Sequence, residues 1–129
     1  RDPMTGLTIL PLPQTLSVCK VADLSQVDPD SEPLFIGRTG DEVSVVCPID
    51  MVPENTLERD DGWRAFRIAG QLEFSMVGVL AGISSVLADA GIPIFVVSTF
   101  DTDYILVKTE RFDETLRVLS EAGYAVDRS

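Results

Sequence analysis

Two segments of this chain, residues 33–47 and 93–107, match each other without a gap at a constant offset of 60 residues. Identical residues stand at four of the fifteen positions: Pro33 and Pro93, Phe35 and Phe95, Thr39 and Thr99, Asp41 and Asp101. In both copies, apolar residues that favour strands flank a polar centre, as two strands around a turn require. We therefore predict a duplicated β-hairpin, and the alternative is a chance match.

The residues before the second copy predict a strand and then a helix. Alternation over residues 63–68 places Trp63, Ala65 and Arg67 on one face and the three intervening residues on the other, with an arginine on each face. Helical spacing follows, with apolar residues at Met76, Val79, Leu80, Ile83, Val86, Leu87 and Ala90. Ser75 is the predicted N-cap, and Gly91 is predicted to follow the end of this helix.

The second copy continues with two strands, at about 92–99 and 103–109, and then a shorter helix. The apolar face of that helix is predicted to contain Phe112, Leu116, Leu119 and Ala122. Gly123 ends it, and residues 124–126 form a short final strand. The order from Trp63 is β-α-β-β-α-β, which is typical of an α+β, ferredoxin-like fold with both helices on one face of an antiparallel sheet.

The first copy predicts an abridged version of the same unit. Residues 16–21 form its opening strand, but residues 22–32 have room for one helical turn at best. Residues 54–62 are predicted to be a polar linker. Residues 7–12 are predicted to form an additional strand, which Pro11 and Pro13 confine to the edge of one of the two sheets. The predicted organisation is a tandem duplication, with one unit over 4–61 and the other over 62–129.

Composition excludes several classes of function. Ten basic and twenty-one acidic residues give a net charge of −11, the wrong sign for holding a nucleic acid backbone. The chain has no histidine, which removes His-based triads and His-ligated metals. The apolar stretch 74–88 is too short for a membrane span, and the N-terminus lacks the apolar run of a signal peptide. We therefore expect a cytoplasmic protein, in which a disulfide between Cys19 and Cys47 is not favoured.

Three segments carry a resemblance to a known family: residues 62–70, 74–81 and 91–107. Together they resemble the ACT domain of the CASTOR and aspartokinase-like group, and the whole chain is similar to short bacterial proteins made of two tandem ACT-like units. The resemblance implies a regulatory fold that binds an amino acid between paired units. By position it implies ligand contacts from Met76, Gly78 and Leu80 at the helix start. Met76 stands where the arginine sensor has an acidic residue, which argues against arginine as the ligand.

The hairpin turn is the second part of the predicted site, where the resemblance implies contacts from Thr99, Phe100 and Asp103. On physical grounds, Asp101 and Asp103, with Thr99 and Thr102, offer acceptors for an ammonium group. Backbone N–H groups over Ser75, Met76, Val77 and Gly78 can hold a carboxylate. Phe100 and Met76 are predicted to form apolar walls. The alternative interpretations are a solvated turn and an ordinary N-cap.

We expect a homodimeric sensor that binds a small molecule and does not catalyse a reaction, with no cofactor and no metal. A second hypothesis keeps the same fold for dimerisation without a metabolite, because open sheet edges need to be paired or protected. An enzymatic function is least favoured, since the sequence shows no nucleophile and base pair and no glycine-rich phosphate loop.

Overall fold

The computed structural model of the protein describes residues 7–69 and 76–128. The strands are β1 (Thr8–Pro11), β2 (Leu16–Val21), β3 (Phe35–Arg38), β4 (Val43–Pro48), β5 (Thr56–Ala69), β6 (Phe95–Ser98), β7 (Asp103–Lys108) and β8 (Ala125–Val126), and the helices are α1 (Met76–Asp89) and α2 (Phe112–Glu121). The chain forms two compact units. One contains residues 14–63, and the other contains residues 64–128 together with residues 7–13.

The larger unit has two helices packed on one face of a mixed sheet. In this sheet β1 lies between β5 and β8, while β7 pairs with both β5 and β6. Buried side chains of both helices share one core with alternate residues of the strands: Ile9, Phe66, Ile68, Val79, Ile83, Leu87, Ile105, Val107, Leu116 and Leu119. The prediction of two helices on one face is therefore confirmed. The buried face of α2 differs slightly from the predicted one, because it includes Thr115 and leaves Ala122 exposed.

Both helices of this unit end in the same hydrogen-bonded motif. Gly91 and Gly123 have φ values of 71° and 108°, which a residue without a Cβ adopts most easily. The N–H of Ile92 donates to the carbonyl of Leu87, and the N–H of Tyr124 donates to the carbonyl of Leu119. This is the Schellman arrangement, which satisfies carbonyls that the last helical turn leaves unbonded. Both predicted helix ends are confirmed.

The N-terminal strand occupies a place that the sequence analysis did not predict. β1 pairs antiparallel with the second half of β5, where Ile9 lies opposite Ile68, and parallel with β8, where Ile9 lies opposite Val126. The predicted edge position was therefore wrong, and this sheet is not purely antiparallel. Pro11 is tolerated because the pairing with β8 covers only Thr8 and Ile9, so the missing N–H of the proline lies beyond it.

The smaller unit is a four-stranded antiparallel arrangement in the order β3, β4, β2 and the first half of β5. Its core contains Cys19, Val21, Val45 and Cys47. Leu24, Val27 and Leu34, from the irregular segment between β2 and β3, pack against that core. The predicted abridged unit is confirmed, because the structure describes turns and bends over residues 22–34 where the larger unit has a helix.

The predicted polar linker over residues 54–62 was wrong for most of its length. Residues 56–63 form the first half of β5 and pair with β2, with Thr56 opposite Val21 and Trp63 opposite Leu16. The charged side chains of Glu58, Arg59 and Asp60 are exposed, so the apolar alternation that signals a strand is absent. Backbone pairing with β2 overrides the low strand propensity of these residues.

The two hairpins confirm the predicted duplication. Phe35 lies opposite Val46 in one hairpin, and Phe95 lies opposite Leu106 in the other. All four registered pairs of each hairpin correspond at the offset of 60. A short 3-10 turn follows each hairpin, over Ile49–Met51 and Thr109–Arg111, so the correspondence continues past the matched sequence.

Within residues 7–69 and 76–128, the structure contains no helix that is long and apolar enough to cross a membrane. The boundary predicted between residues 61 and 62 stays a prediction. The compact units divide the chain between Trp63 and Arg64 and assign the N-terminal strand to the larger unit.

Candidate functional site

The turn between β6 and β7 has a fixed conformation that comes from its own threonines. The N–H of Thr99 donates to the carbonyl of Thr102 at 2.9 Å, and the Thr99 hydroxyl donates to the same carbonyl at 3.2 Å. The N–H of Thr102 donates back to Thr99 Oγ1 at 3.4 Å. These reciprocal bonds hold the turn with the side chains of Phe100 and Asp101 exposed to solvent.

The corresponding turn of the smaller unit is built in the same way. The N–H of Thr39 donates to the carbonyl of Glu42 at 3.0 Å, and Thr39 Oγ1 accepts hydrogen bonds from the N–H groups of Asp41 and Glu42. The turn at Thr99 is therefore a repeated structural feature of the chain. Its hydrogen bonds alone do not distinguish a ligand site from a solvated turn, so the predicted roles of Thr99 and Thr102 stay predictions.

The remaining predicted residues of the turn have different surroundings. Phe100 is completely exposed, at 104% of its reference surface. The Asp103 carboxylate accepts a hydrogen bond from the Ser98 hydroxyl at 2.5 Å, across the first pair of the hairpin. This bond orients the carboxylate toward its neighbour on β6. The exposed Asp101 carboxylate is the more accessible of the two for a cationic group.

The predicted residues at the start of α1 are described only in part. Ser75 lies outside the described residues, and Met76 and Val77 are described as helical backbone. Gly78 is exposed, whereas Leu80 is half-buried and packs against the core of the larger unit. The side-chain hydrogen bonds described for the predicted turn residues lie within the hairpin itself, between Thr99 and Thr102 and between Ser98 and Asp103. Whether the helix start and this turn form one site stays a prediction.

A groove that the sequence analysis missed lies in the larger unit, between the end of β1 and the start of α2. Its volume is about 340 Å³. It is lined by Pro11, Leu12, Pro13, Arg64, Phe112, Asp113, Leu116 and Arg128. We call it the Arg64 groove. Prolines, leucines and a phenylalanine make its walls apolar, and two arginines and one aspartate supply its charge.

Two bonds and one ring contact hold Arg64 in this groove. Its Nη2 and Nε atoms donate to the Leu12 carbonyl at 2.8 and 3.3 Å. Its guanidinium carbon lies 4.2 Å from the centroid of the Phe112 ring, a distance at which the ring face attracts a cation. Among the described residues, Arg64 has no carboxylate within ion-pair distance, and its direct partners are the Leu12 carbonyl and the Phe112 ring.

Two ion pairs lie near the start of α2. Arg128 Nη2 lies 3.7 Å from Asp113 Oδ1, and Arg111 Nε lies 2.7 Å from Glu114 Oε1. The hydrogen bond from Arg111 lowers the pKa of Glu114, and the same bond raises the pKa of Arg111. Glu114 is therefore ionised at neutral pH, and the first turn of α2 carries fixed charge beside the groove.

One sequence signal pointed toward this groove. The alternation over residues 63–68 places Arg64 on the same face as Phe66 and Ile68, which are both core residues. An arginine on the apolar face of a strand needs a partner for its charge. No sequence pattern indicated that Leu12 and Arg128 line the groove, because these residues come from opposite ends of the chain and meet only in the fold.

Comparisons with known proteins agree with the fold. Residues 58–121 match the model of an ACT domain family. The crystal structure of protein Atu0741 from Agobacterium tumefaciens is 31% identical, with a TM-score of 0.84 over 95% of this chain and 93% of that one. A Vibrio cholerae protein of unknown function, described as a possible transport protein, is 18% identical, with a TM-score of 0.75 over 93% and 92% of the two chains.

The regulatory subunit of aspartate kinase from Thermus thermophilus, in its ligand-free form, is similar in fold. It is 12% identical, with a TM-score of 0.63 over 94% of this chain and 99% of that one. The family model covers the second hairpin, α1 and α2, and the relative from Agobacterium covers nearly the full length. The α+β fold predicted from the sequence is confirmed, and the chain belongs to the ACT domain family.

Proposed function

We propose that this protein is a non-catalytic regulatory protein that binds a small molecule, and that the ligand is an amino acid. Membership of a family of regulatory ligand-binding domains supports the general function. The observation that carries the proposed ligand site is the turn at residues 99–102, which presents the Asp101 carboxylate and the Phe100 ring to solvent while its own hydrogen bonds fix the backbone.

The proposed contacts combine this turn with the start of α1. The carboxylates of Asp101 and Asp103 meet the ammonium group of the ligand, and Phe100 covers its side chain. The N–H groups over residues 75–78 meet the ligand carboxylate, because the first N–H groups of a helix have no partner within the helix. We place the ligand between ACT units that pair in a homodimer, and we place the protein in the cytoplasm.

A thermal-shift screen of the full chain against the twenty amino acids tests this proposal. A ligand present at 100 times its dissociation constant stabilises the folded state by about 2.7 kcal/mol, which is a measurable rise in Tm. Isothermal titration then gives the affinity of any ligand found. If no amino acid raises the Tm, the proposal is contradicted.

The duplication supplies a matched control for the site. Asp101→Asn removes one carboxylate from the proposed site, and Asp41→Asn makes the same change at the corresponding turn position of the smaller unit. We expect Asp101→Asn to weaken amino acid binding by about tenfold, the loss of one hydrogen bond to a charged group, and Asp41→Asn to leave it unchanged. Equal effects of the two variants would argue for a general charge effect.

A second candidate function is dimerisation without a metabolite. It is favoured by the hairpin whose outer strand is β6, where Phe100 is fully exposed and Phe95 is 37% exposed. Light scattering after size exclusion separates the two functions. A dimer that persists in Asp103→Ala, in the absence of any amino acid response of the parent protein, supports this second candidate.

A further inference from the structure

We propose that the Arg64 groove binds the carboxylate of a small acid that has an apolar body. This site lies in the larger unit and is separate from the turn at residues 99–102. The inference does not depend on the proposed function, because it follows from the groove itself.

The first step of the argument is the charge of Arg64. The bonds to Leu12 use the Nε and Nη2 atoms, and a guanidinium group has five N–H donors. Among the described residues it makes no other hydrogen bond, so the two Nη1 hydrogens and the second Nη2 hydrogen remain for a ligand. One Nη1 hydrogen and the outer Nη2 hydrogen point in parallel at the end of the guanidinium, so this pair can bind a carboxylate through two parallel hydrogen bonds.

The second step is the preorganisation of that group. The Leu12 carbonyl and the Phe112 ring restrict the position of the guanidinium in the absence of ligand. A long side chain that is already ordered loses less conformational entropy when it binds. The arginine is therefore held in the groove without having its charge neutralised.

The third step is the balance of charge in the groove. Arg64 and Arg128 contribute two positive charges, and Asp113 contributes one negative charge. The resulting net charge of +1 complements a monoanion, in a chain whose overall charge of −11 otherwise repels anions. Pro11, Leu12 and Pro13 supply accessible apolar surface for the rest of the molecule, and the buried Phe112 and Leu116 lie beneath it. A volume of about 340 Å³ has room for a branched aliphatic acid.

Titration of the ¹⁵N-labelled full chain with 4-methylpentanoate tests this inference. We expect saturable shifts of the backbone amides of Phe112, Asp113 and Leu116, with a dissociation constant of about 1 mM or below. The neutral analogue 4-methylpentanamide keeps the shape and lacks the charge, so it is expected to cause no saturable shift. Acetate keeps the charge and lacks the apolar body, so it is expected to bind at least about tenfold more weakly.

A pair of arginine variants on one strand provides the control. Arg64→Gln removes the guanidinium that is proposed to bind the carboxylate. It is expected to weaken binding of 4-methylpentanoate at least about tenfold, since a hydrogen bond between charged groups is lost. Arg67→Gln makes the same change of charge on the opposite face of β5 and is expected to leave the affinity unchanged. If Arg64→Gln does not fold, Arg128→Gln, whose side chain is 61% exposed, is expected to weaken binding severalfold.

Three outcomes would overturn the inference: no saturable shift with 4-methylpentanoate, equal binding of the acid and the amide, or equal loss of affinity in the Arg64 and Arg67 variants. Shifts at residues 99–103 in place of the groove would also overturn it, while leaving the proposed amino acid site intact. Shifts confined to the groove, in a protein that no amino acid stabilises, would support this inference and contradict the proposed function.

Discussion

The hydroxyl of Ser17 donates a hydrogen bond to the carboxylate of Asp61 over 2.6 Å, linking β2 to the first half of β5. Ser17 is completely buried, whereas the Asp61 side chain is 40% exposed and also accepts a bond from Arg59. The bond therefore joins a buried donor to a carboxylate that water reaches. Both bonds go to Oδ1 of Asp61, and the bond to Asp61 is the shortest that the Ser17 hydroxyl makes.

Ser17→Ala is expected to destabilise the protein by about 1 kcal/mol, because the hydrogen bond is lost while Asp61 keeps Arg59 and water. Asp61→Ala is expected to destabilise it more, since the buried hydroxyl then loses its charged acceptor. Urea unfolding of both variants measures these differences. Ser44→Ala, which removes a hydroxyl bonded to an exposed glutamate, is the control and is expected to change stability by less than about 0.5 kcal/mol. The argument fails if the Ser17 and Ser44 variants are equally stable.

Gly91→Ala is expected to destabilise the protein by about 1 kcal/mol for conformational reasons alone. A Cβ at this position would meet no atom within 4 Å, so the φ of 71° is the only source of strain. Gly40→Ala is the matched control, because Gly40 also has space for a Cβ and its φ lies outside the left-handed region. Thermal unfolding is expected to separate the two variants by several degrees. Equal Tm values would show that the helix end relaxes without strain.

The features that were predicted correctly depend on local sequence. The ends of both helices follow from a glycine after an apolar helical pattern, and each is confirmed by a Schellman bond at Leu87 or Leu119. The duplicated hairpin was visible because identical residues stand at the turn, where the side chains of Thr39 and Thr99 accept hydrogen bonds from backbone N–H groups of the same turn. Such interactions span a few residues and leave a recognisable pattern.

The features that were missed depend on pairing between distant segments. The first half of β5 exposes charged residues and lacks alternation, so only its pairing with β2 makes it a strand. β1 lies between β5 and β8 because Ile9 completes the core beside Ile68. The Arg64 groove likewise requires Leu12 and Phe112 to meet across the fold. The predicted ligand residues at the turn and the start of α1 stay predictions, since their chemistry is compatible with an ordinary turn and helix.

The Cys47 thiol is expected to make stability depend on pH in the alkaline range. Burial, followed by the nearby Cys19, raises the pKa of Cys47 from 9.0 to about 12. Between about pH 9 and pH 12, the Cys47 thiol therefore keeps its proton in the folded state and loses it in the unfolded state. This contribution is complete below pH 9 and is lost as the pH rises from about 9 toward about 12. Urea unfolding at a series of pH values should show a steeper decline for the parent protein than for Cys47→Ala.

Thiol reactivity gives an independent measure of the same property. Cys19 and Cys47 are both free and buried, so a reagent does not reach either sulfur easily, and the raised pKa of Cys47 makes its thiol a poor nucleophile. We expect iodoacetamide at pH 8 to alkylate both cysteines in urea and to react slowly with the native protein. Rapid alkylation of the native protein would contradict the burial of these thiols.

Phe100→Ser is expected to leave the stability of the isolated chain unchanged, to within about 0.5 kcal/mol, because a fully exposed side chain loses no packing when it is shortened. Phe95→Ser is the control on the same hairpin. The Phe95 side chain is only 37% exposed and lies opposite Leu106, so its replacement is expected to destabilise the fold by about 1 kcal/mol or more. Urea unfolding at low protein concentration measures both changes.

If Phe100→Ser also lowers the affinity for an amino acid or the dimer content, the exposed ring has a role in binding, because folding does not require it. If it changes neither stability nor binding, Phe100 is a solvated turn residue and the proposed ligand site loses its apolar wall.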